Sequence, residues 1–296
     1  LMNLLVTGAW QQATDYLEQL KKEHEVVFMQ WENKELPCVY EWVEGIIGNG
    51  IFLSHPIEKF KNLRYIQLTS AGYDRVPMNY VKEHKIEIHN ARGVYSIPMA
   101  EFAISGVLQL FKQARFFSNN QKNHQWVKHR RLLELNEKEV CIVGCGSVGT
   151  ECAKRFSAFG CHVVGIDLYP REDEHYQKIL PLNLLDDVLH QMDIVVLTIP
   201  LTEETHHLMN DNRFEQLKEG AVLVNIARGA VVDTKALIKH LDKLGGVVLD
   251  VFEEEPLSED SELWDREDVI LTPHNSFIGN GNSKRLEKII LKNLEI

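Results

Sequence analysis

Apolar and polar positions along the chain follow two periods. Short β-rich runs occur at Asn3–Thr7, Glu25–Phe28, Glu44–Ile47, Arg64–Thr69 and Ile86–His89. Stretches between them, notably Gln12–Glu23 and Met78–Glu83, have helical spacing. Strands alternating with helices predict a parallel sheet covered on both faces. A longer helical stretch follows from Pro98 to Phe117, with Pro98 in the first turn, where its missing N–H would be unpaired anyway. Its apolar residues, including Phe102, Ile104, Val107, Leu108, Leu110 and Phe111, surround much of the helix. That predicts burial on more than one side, for which a subunit interface is one source.

A second alternation comprises strands at Glu139–Val143, His162–Asp167, Asp193–Thr198, Ala221–Ile226, Gly246–Val251 and Val269–Leu271. Helix Ser147–Phe159 and helical segments around Leu184–His190, Asn212–Leu217 and Thr234–Leu241 lie between them. Six strands with helical crossovers suit a doubly wound dinucleotide-binding domain. A last helical stretch, Ser283–Leu294, is expected to return to the first domain. The predicted boundaries are 1–92 plus 277–296 for a substrate domain and 93–276 for a dinucleotide-binding domain, with hinges near Asn90–Gly93 and Ser276–Gly279.

Composition narrows the class. The 296 residues are 44% hydrophobic and 25% charged, enough apolar material for more than one core. A net charge of −11 argues against nucleic acid or an anionic membrane as partner. Five cysteines without a C-x-x-C pair suit reduced thiols in a cytoplasmic protein. No apolar run reaches the length of a membrane span, and the start LMNLLVTGAWQQ turns polar too soon for a signal peptide. No metal site is expected.

The segment CIVGCGSVGTECAKRF carries G-x-G-x-x-G at Gly144, Gly146 and Gly149, after a β run and at the start of a helix. Gly144 would make the tight turn, Gly146 would let a pyrophosphate approach the backbone, and Gly149 would let the helix pack close to the strand. Ser147 and Val148, in the first helical turn, complete this candidate cofactor set. Asp167 ends the next strand, where a carboxylate can accept from both adenosine ribose hydroxyls and repel a 2′-phosphate. The loop therefore points to NAD, although Arg171, four residues on, could meet a phosphate.

Downstream lie NIARGAVVD (Asn225–Asp233), LDVFEEEPL (Leu249–Leu257) and TPHNSF (Thr272–Phe277). With the glycine loop, SAGYD (Ser70–Asp74) and MAEFAI (Met99–Ile104), they closely resemble the NAD-dependent D-isomer-specific 2-hydroxyacid dehydrogenase family over essentially the whole chain. The resemblance implies a Rossmann NAD-binding domain, a smaller flavodoxin-like substrate domain and an oxidoreductase interconverting a small 2-keto acid and its D-2-hydroxy acid. It assigns the chemistry to Arg228, Glu255 and His274. It also places Pro200, Ile226, Ala227 and Asp250 by the cofactor, and the backbone of Ala71 and Gly72 on the substrate carboxylate. Tyr73, Asn49 and Tyr95 are further candidates for the pocket.

The residue types suit that reaction. Reducing a 2-keto acid takes a hydride at C2, a proton on the carbonyl oxygen and a counter-ion for the carboxylate. An imidazole at His274 can exchange the proton near neutrality. A carboxylate at Glu255 would orient the ring and favour its charged form. A guanidinium at Arg228 can bind carboxylate and polarise the carbonyl. Blander roles stand beside these: a strand stop for Pro200, a loop acceptor for Asp250 and a tight turn for Ala71–Gly72. Glu253 and Glu254 read as solvated charge, and His206 and His207 as structural. Two rival functions remain, a non-catalytic NAD-sensing protein of the same fold and a methyltransferase. Turnover of 2-keto acids separates the first, and S-adenosylmethionine binding the second. A homodimer through the 98–117 helix is expected.

Overall fold

The computed structural model describes residues 1–8 and 14–296. In chain order the elements are β1 (Asn3–Thr7), α1 (Thr14–Glu23), β2 (Glu25–Met29), β3 (Gly45–Gly48), β4 (Tyr65–Leu68), α2 (Met78–Glu83) and β5 (Glu87–His89). There follow α3 (Ser96–Phe111), α4 (Ala114–Lys122), β6 (Glu139–Val143), α5 (Ser147–Ala158), β7 (His162–Asp167), β8 (Lys178–Pro181) and α6 (Leu185–Leu189). The remainder are β9 (Ile194–Leu197), α7 (Asp211–Gln216), β10 (Val222–Asn225), α8 (Thr234–His240), β11 (Gly246–Leu249), β12 (Val269–Leu271) and α9 (Asn282–Asn293). The first two residues of the expected helix 12–23 lie outside the described residues.

Two compact units result. One comprises Leu1–Tyr95 with Gly279–Ile296, the other Ser96–Ile278. These crossings fall slightly later in the chain than the expected 92/93 and 276/277.

The first unit holds a parallel five-stranded sheet of order β2-β1-β3-β4-β5, the flavodoxin-like arrangement. Successive residues of β1 feed opposite cores: Leu4 and Val6 pack with Tyr16, Leu286 and Ile290, while Leu5 packs with Ile46, Ile66 and Phe60. Leu286 and Ile290 belong to α9, so the final helix covers this sheet. Arg285 fixes it further by donating from Nε to the Val94 carbonyl at 2.7 Å.

The second unit holds a seven-stranded parallel sheet, β12-β11-β10-β9-β6-β7-β8. Both faces are covered, which explains the unbroken apolar runs of its central strands. In β9, Val195 and Leu197 enter one core, while Ile194 and Val196 enter the other.

Two sequence expectations change here. The sheet has a seventh strand, β8, where six were expected. It is an edge strand that starts at exposed Lys178 and ends at Pro181, so it lacks the apolar run of the central strands. The helix expected over 98–117 breaks: Gln113 takes a left-handed φ of 53°, separating α3 from α4. The burial of α3 is met within its own unit. A β-carbon on Gly106 would lie 2.7 Å from Val248 of β11, so this glycine lets the helix lie close on the sheet. The outward positions Glu101, Ser105 and Gln109 are polar.

Candidate active site

The cofactor-binding candidates lie at or just beyond the C-terminal ends of β6, β7, β9, β10 and β11, on either side of the β6/β9 boundary at which strand order reverses. Gly144 has a φ of +97°, and a β-carbon there would lie 2.5 Å from the Ile199 nitrogen. Thr198 Oγ1 donates to the Gly144 carbonyl at 2.5 Å, closing the turn across the gap. Gly149 is required for packing, because its β-carbon would meet the Gly144 oxygen at 2.0 Å.

Gly146 differs. It precedes α5 with an ordinary φ of −73°, and a β-carbon there would meet nothing within 4 Å. Its missing side chain leaves a cradle at the helix N-terminus, beside Ser147 and Val148, where the positive end of the helix favours an anion. These residues therefore fit a dinucleotide pyrophosphate. Asp167 stands at the end of β7, accepting from the Cys145 N–H at 2.6 Å and the Tyr169 N–H at 2.9 Å. A carboxylate offers about four lone-pair sites, so capacity remains for ribose hydroxyls. Arg171 turns back on the loop and donates to the Cys145 carbonyl at 2.7 Å and to Thr150 Oγ1 at 3.1 Å.

The three expected catalytic residues follow the C-terminal ends of neighbouring strands. Asn225, Leu249 and Leu271 are aligned across β10, β11 and β12, and Arg228, Glu255 and His274 lie a few residues beyond them. Glu255 Oε2 is 3.0 Å from His274 Nδ1, and its Oε1 accepts from the Phe252 N–H at 3.1 Å. His274 has a left-handed φ of 51°, uncommon for a residue with a β-carbon. Its ring is partly exposed, and Phe277 stands edge-on with ring centroids 6.3 Å apart.

Asp250 explains how that backbone is held. Fully buried, it accepts from Thr272 Oγ1 and the Asn275 N–H, both at 2.7 Å, and from the Ser276 N–H at 3.0 Å. Its own carbonyl takes the His274 N–H at 2.8 Å. Asp250 thus performs the loop-acceptor role anticipated for it.

Arg228 is half-buried and donates from Nη1 to the Ala227 carbonyl at 2.8 Å. Behind it, buried Asn225 accepts from the Ala227 N–H and donates to the Arg228 carbonyl, both at 3.1 Å. Asn225, within NIARGAVVD, and Thr198, at the end of an expected strand, carry no role in the sequence expectations. A polar residue ending an apolar strand was the available signal. Ile226 and Ala227 are buried, while Pro200 is exposed and its carbonyl accepts from Thr205 Oγ1 at 2.7 Å.

Ala71 and Gly72 lie in the first unit, in the turn after β4. Asn90 Nδ2 holds the Ala71 carbonyl at 2.7 Å, and Ser70 Oγ holds the Gly72 carbonyl at 3.2 Å. Asn49 is engaged locally, its N–H donating to Glu32 at 2.7 Å, and the Tyr95 hydroxyl donates to the Thr69 carbonyl. Tyr73 is exposed.

Glu253 lies at the surface, as expected, but is also held in place: it accepts from His207 Nε2 at 2.6 Å and from the Thr234 N–H at 2.8 Å. Among the described residues, no cluster of three or more His, Cys, Asp or Glu could hold a metal, and no helix is long and apolar enough to cross a membrane.

The doubly wound sheet with its glycine turn defines a dinucleotide-binding α/β protein. Residues 104–276 match the NAD-binding domain of the D-isomer specific 2-hydroxyacid dehydrogenases. A glyoxylate reductase from Pyrococcus horikoshii is 31% identical over 296 residues, covering 94% of this chain and 88% of the relative. A D-lactate dehydrogenase from Treponema pallidum is 29% identical over 303 residues, covering 93% and 90%. The structure of an Aquifex aeolicus D-lactate dehydrogenase complexed with NAD and lactic acid superposes with a TM-score of 0.80 at 27% identity, covering 99% of this chain and 94% of that one. The chain belongs to the D-isomer specific 2-hydroxyacid dehydrogenase family and is an NAD-dependent oxidoreductase.

Proposed function

We propose that the protein interconverts a small 2-keto acid and its D-2-hydroxy acid, with Arg228, Glu255 and His274 as the reacting set. The observation that carries this reading is the 3.0 Å contact between Glu255 and His274 Nδ1, made beyond β11 and β12, the two strands that come after the Arg228 strand β10 in the sheet. Bound NADH supplies the hydride that reduces C2. His274 gives the carbonyl oxygen its proton from Nε2 and recovers that proton in the oxidative direction. Glu255 holds the other ring nitrogen, fixing ring orientation and tautomer. Arg228 binds the substrate carboxylate and polarises the neighbouring carbonyl. The Ala71 and Gly72 N–H groups, whose carbonyls are tied back, are assigned to a substrate carboxylate. Gly144, Gly146, Ser147, Val148 and Gly149 hold the pyrophosphate, Asp167 the ribose, and Pro200, Ile226, Ala227 and Asp250 the nicotinamide end.

Consumption of NADH with a panel of 2-keto acids tests the reading. Glyoxylate and pyruvate come first, because the relatives include glyoxylate reductases and D-lactate dehydrogenases. Turnover with NADH that disappears in His274→Ala is the expected result. Tight NADH binding with no turnover on any acid would instead favour a sensor.

A cytoplasmic homodimer completes the proposal. The five cysteines are all free thiols, which suits a reducing compartment. With α3 covered from within, the exposed apolar residues Phe117, Trp126, Val127, Leu132 and Leu133 are the support for an interface between copies. A monomer mass by light scattering at micromolar concentration would reject it.

A further inference from the structure

Beyond the residues assigned to substrate and cofactor, one side-chain cluster ties together the turns that carry Arg228 and Glu255. Its centre is Glu253, with His207 Nε2 at 2.6 Å from one carboxylate oxygen and the Thr234 N–H at 2.8 Å from the other. Burial pushes this carboxyl up, but Thr234 and His207 outweigh burial and hold it below the usual carboxylate range. His207 is held in turn. Its backbone has a left-handed φ of 49°, its N–H donates to the Ala230 carbonyl at 2.7 Å, and its ring stacks on His206 with centroids 4.0 Å apart. The second ring nitrogen lies 4.0 Å from the Asp233 carboxylate.

Ala230 belongs to the turn directly after Arg228, whereas Glu253 is two residues before Glu255. The same two segments touch through their backbones. A β-carbon on Gly229 would lie 1.8 Å from the Phe252 carbonyl carbon and 2.4 Å from the Glu253 nitrogen. Phe252 then donates its N–H to Glu255, whose other oxygen meets His274. A continuous line of contacts therefore runs from the Arg228 turn through His207 and Glu253 to His274. The segment after β11 has no regular strand or helix through Ser261, so it relies on such side-chain bonds for its place.

We propose that His207 and Glu253 form a clasp, a pair of positioning residues that holds the Glu255 loop against the Arg228 turn and so sets where Glu255 holds His274. The clasp touches neither substrate nor cofactor, and its catalytic consequence rests on the function proposed above. Groups that position reacting atoms matter because a misplacement of about 1 Å can cost on the order of a hundredfold in rate.

The test uses the full chain and four variants: His207→Ala, Glu253→Ala, the double variant, and His207→Gln, which keeps a donor for Glu253. The readouts are kcat and KM for a 2-keto acid, NADH affinity by fluorescence, and amide hydrogen exchange. Each alanine variant is expected to lower kcat by about tenfold to a hundredfold while leaving NADH affinity unchanged. The double variant should lose no more than either single one, because both break the same clasp. His207→Gln should recover most of the rate. Exchange should accelerate at 229–231 and 252–255 and stay unchanged in the central strands. If Glu253→Ala does not fold, Glu253→Gln carries the test, since it keeps an acceptor for Thr234 and removes the charge. Alanine variants with wild-type kcat, KM and exchange, alongside an inactive His274→Ala, would overturn the clasp alone. Retained turnover in His274→Ala would overturn the reading of the site, and the clasp as a catalytic device with it.

Discussion

Glu255 reaches His274 with one carboxylate oxygen and its own loop with the other, at 3.0 Å and 3.1 Å respectively. The contact to Phe252 ties down the same carboxylate that the imidazole meets. Removing either reacting group should therefore cost rate more than binding. His274→Ala is expected to lower kcat by about 10²–10⁴-fold, with NADH affinity unchanged. Steady-state kinetics paired with fluorescence titration checks both halves, and loss of NADH binding with intact turnover would reverse the assignment.

Two glycines of one loop should fail in different ways. At Gly149 a methyl group would collide with the Gly144 carbonyl, so Gly149→Ala should lower both thermal stability and NADH affinity. Gly146→Ala meets no protein atom within 4 Å and needs no unusual φ. It should keep the wild-type Tm while weakening NADH binding by at least about tenfold, since about 1.4 kcal/mol of lost contact suffices for that factor. Wild-type affinity in Gly146→Ala would remove the pyrophosphate from this loop.

Asp167 and Arg171 divide the cofactor question. Asp167→Ser removes the negative charge expected to repel a 2′-phosphate and leaves Arg171 in place. The ratio of kcat/KM for NADPH over NADH should rise. An unchanged ratio would mean that Asp167 serves the loop through Cys145 and Tyr169 alone.

Asp250 makes three hydrogen bonds from a fully buried position. Asp250→Ala frees the Asn275 N–H and strands the buried Ser276 N–H, the latter at about 1–3 kcal/mol for a buried group left unsatisfied. The expected outcome is a clear fall in Tm together with lost turnover, because the same bonds hold the left-handed His274 backbone.

Acid stability should depend on Asp193. Its burial raises the carboxyl, but Lys218 at 2.6 Å and the Glu139 N–H at 3.0 Å overcome this and hold it below its ordinary 3.8. A carboxyl depressed by folding contributes stability in full above its unfolded value and loses it as pH falls through the folded one. The wild-type chain should therefore lose this contribution below about pH 4. Asp193→Asn should flatten that part of the curve in urea unfolding. Identical slopes for the two proteins would refute it.

Much of this was legible because buried parallel strands write themselves as unbroken apolar runs. β1, β6, β7 and β12 appear at the residues their runs predict, and the glycine spacing announces the turn after β6. β8 escaped because an edge strand needs no such run, and the break at Gln113 escaped because helical spacing does not register one left-handed residue. Glu255 could be chosen from its acidic neighbours only through family resemblance. The clasp was illegible for a different reason: His207 and Glu253 are 46 residues apart, and each alone looks like an ordinary polar residue.

The alignment of Asn225, Leu249 and Leu271 in one ladder bears on how such a chain tolerates change. Neighbouring strands keep a separation of about 4.8 Å whatever joins them. The reacting groups thus inherit their spacing from the sheet, not from the length of chain between them. Residues spliced into the exposed stretch Ser258–Asp260 would lengthen a crossover and leave the hydrogen-bonded ladder in register. Loop length there is free to drift between lineages, or under an engineer's hand, while the chemistry at the strand ends stays put.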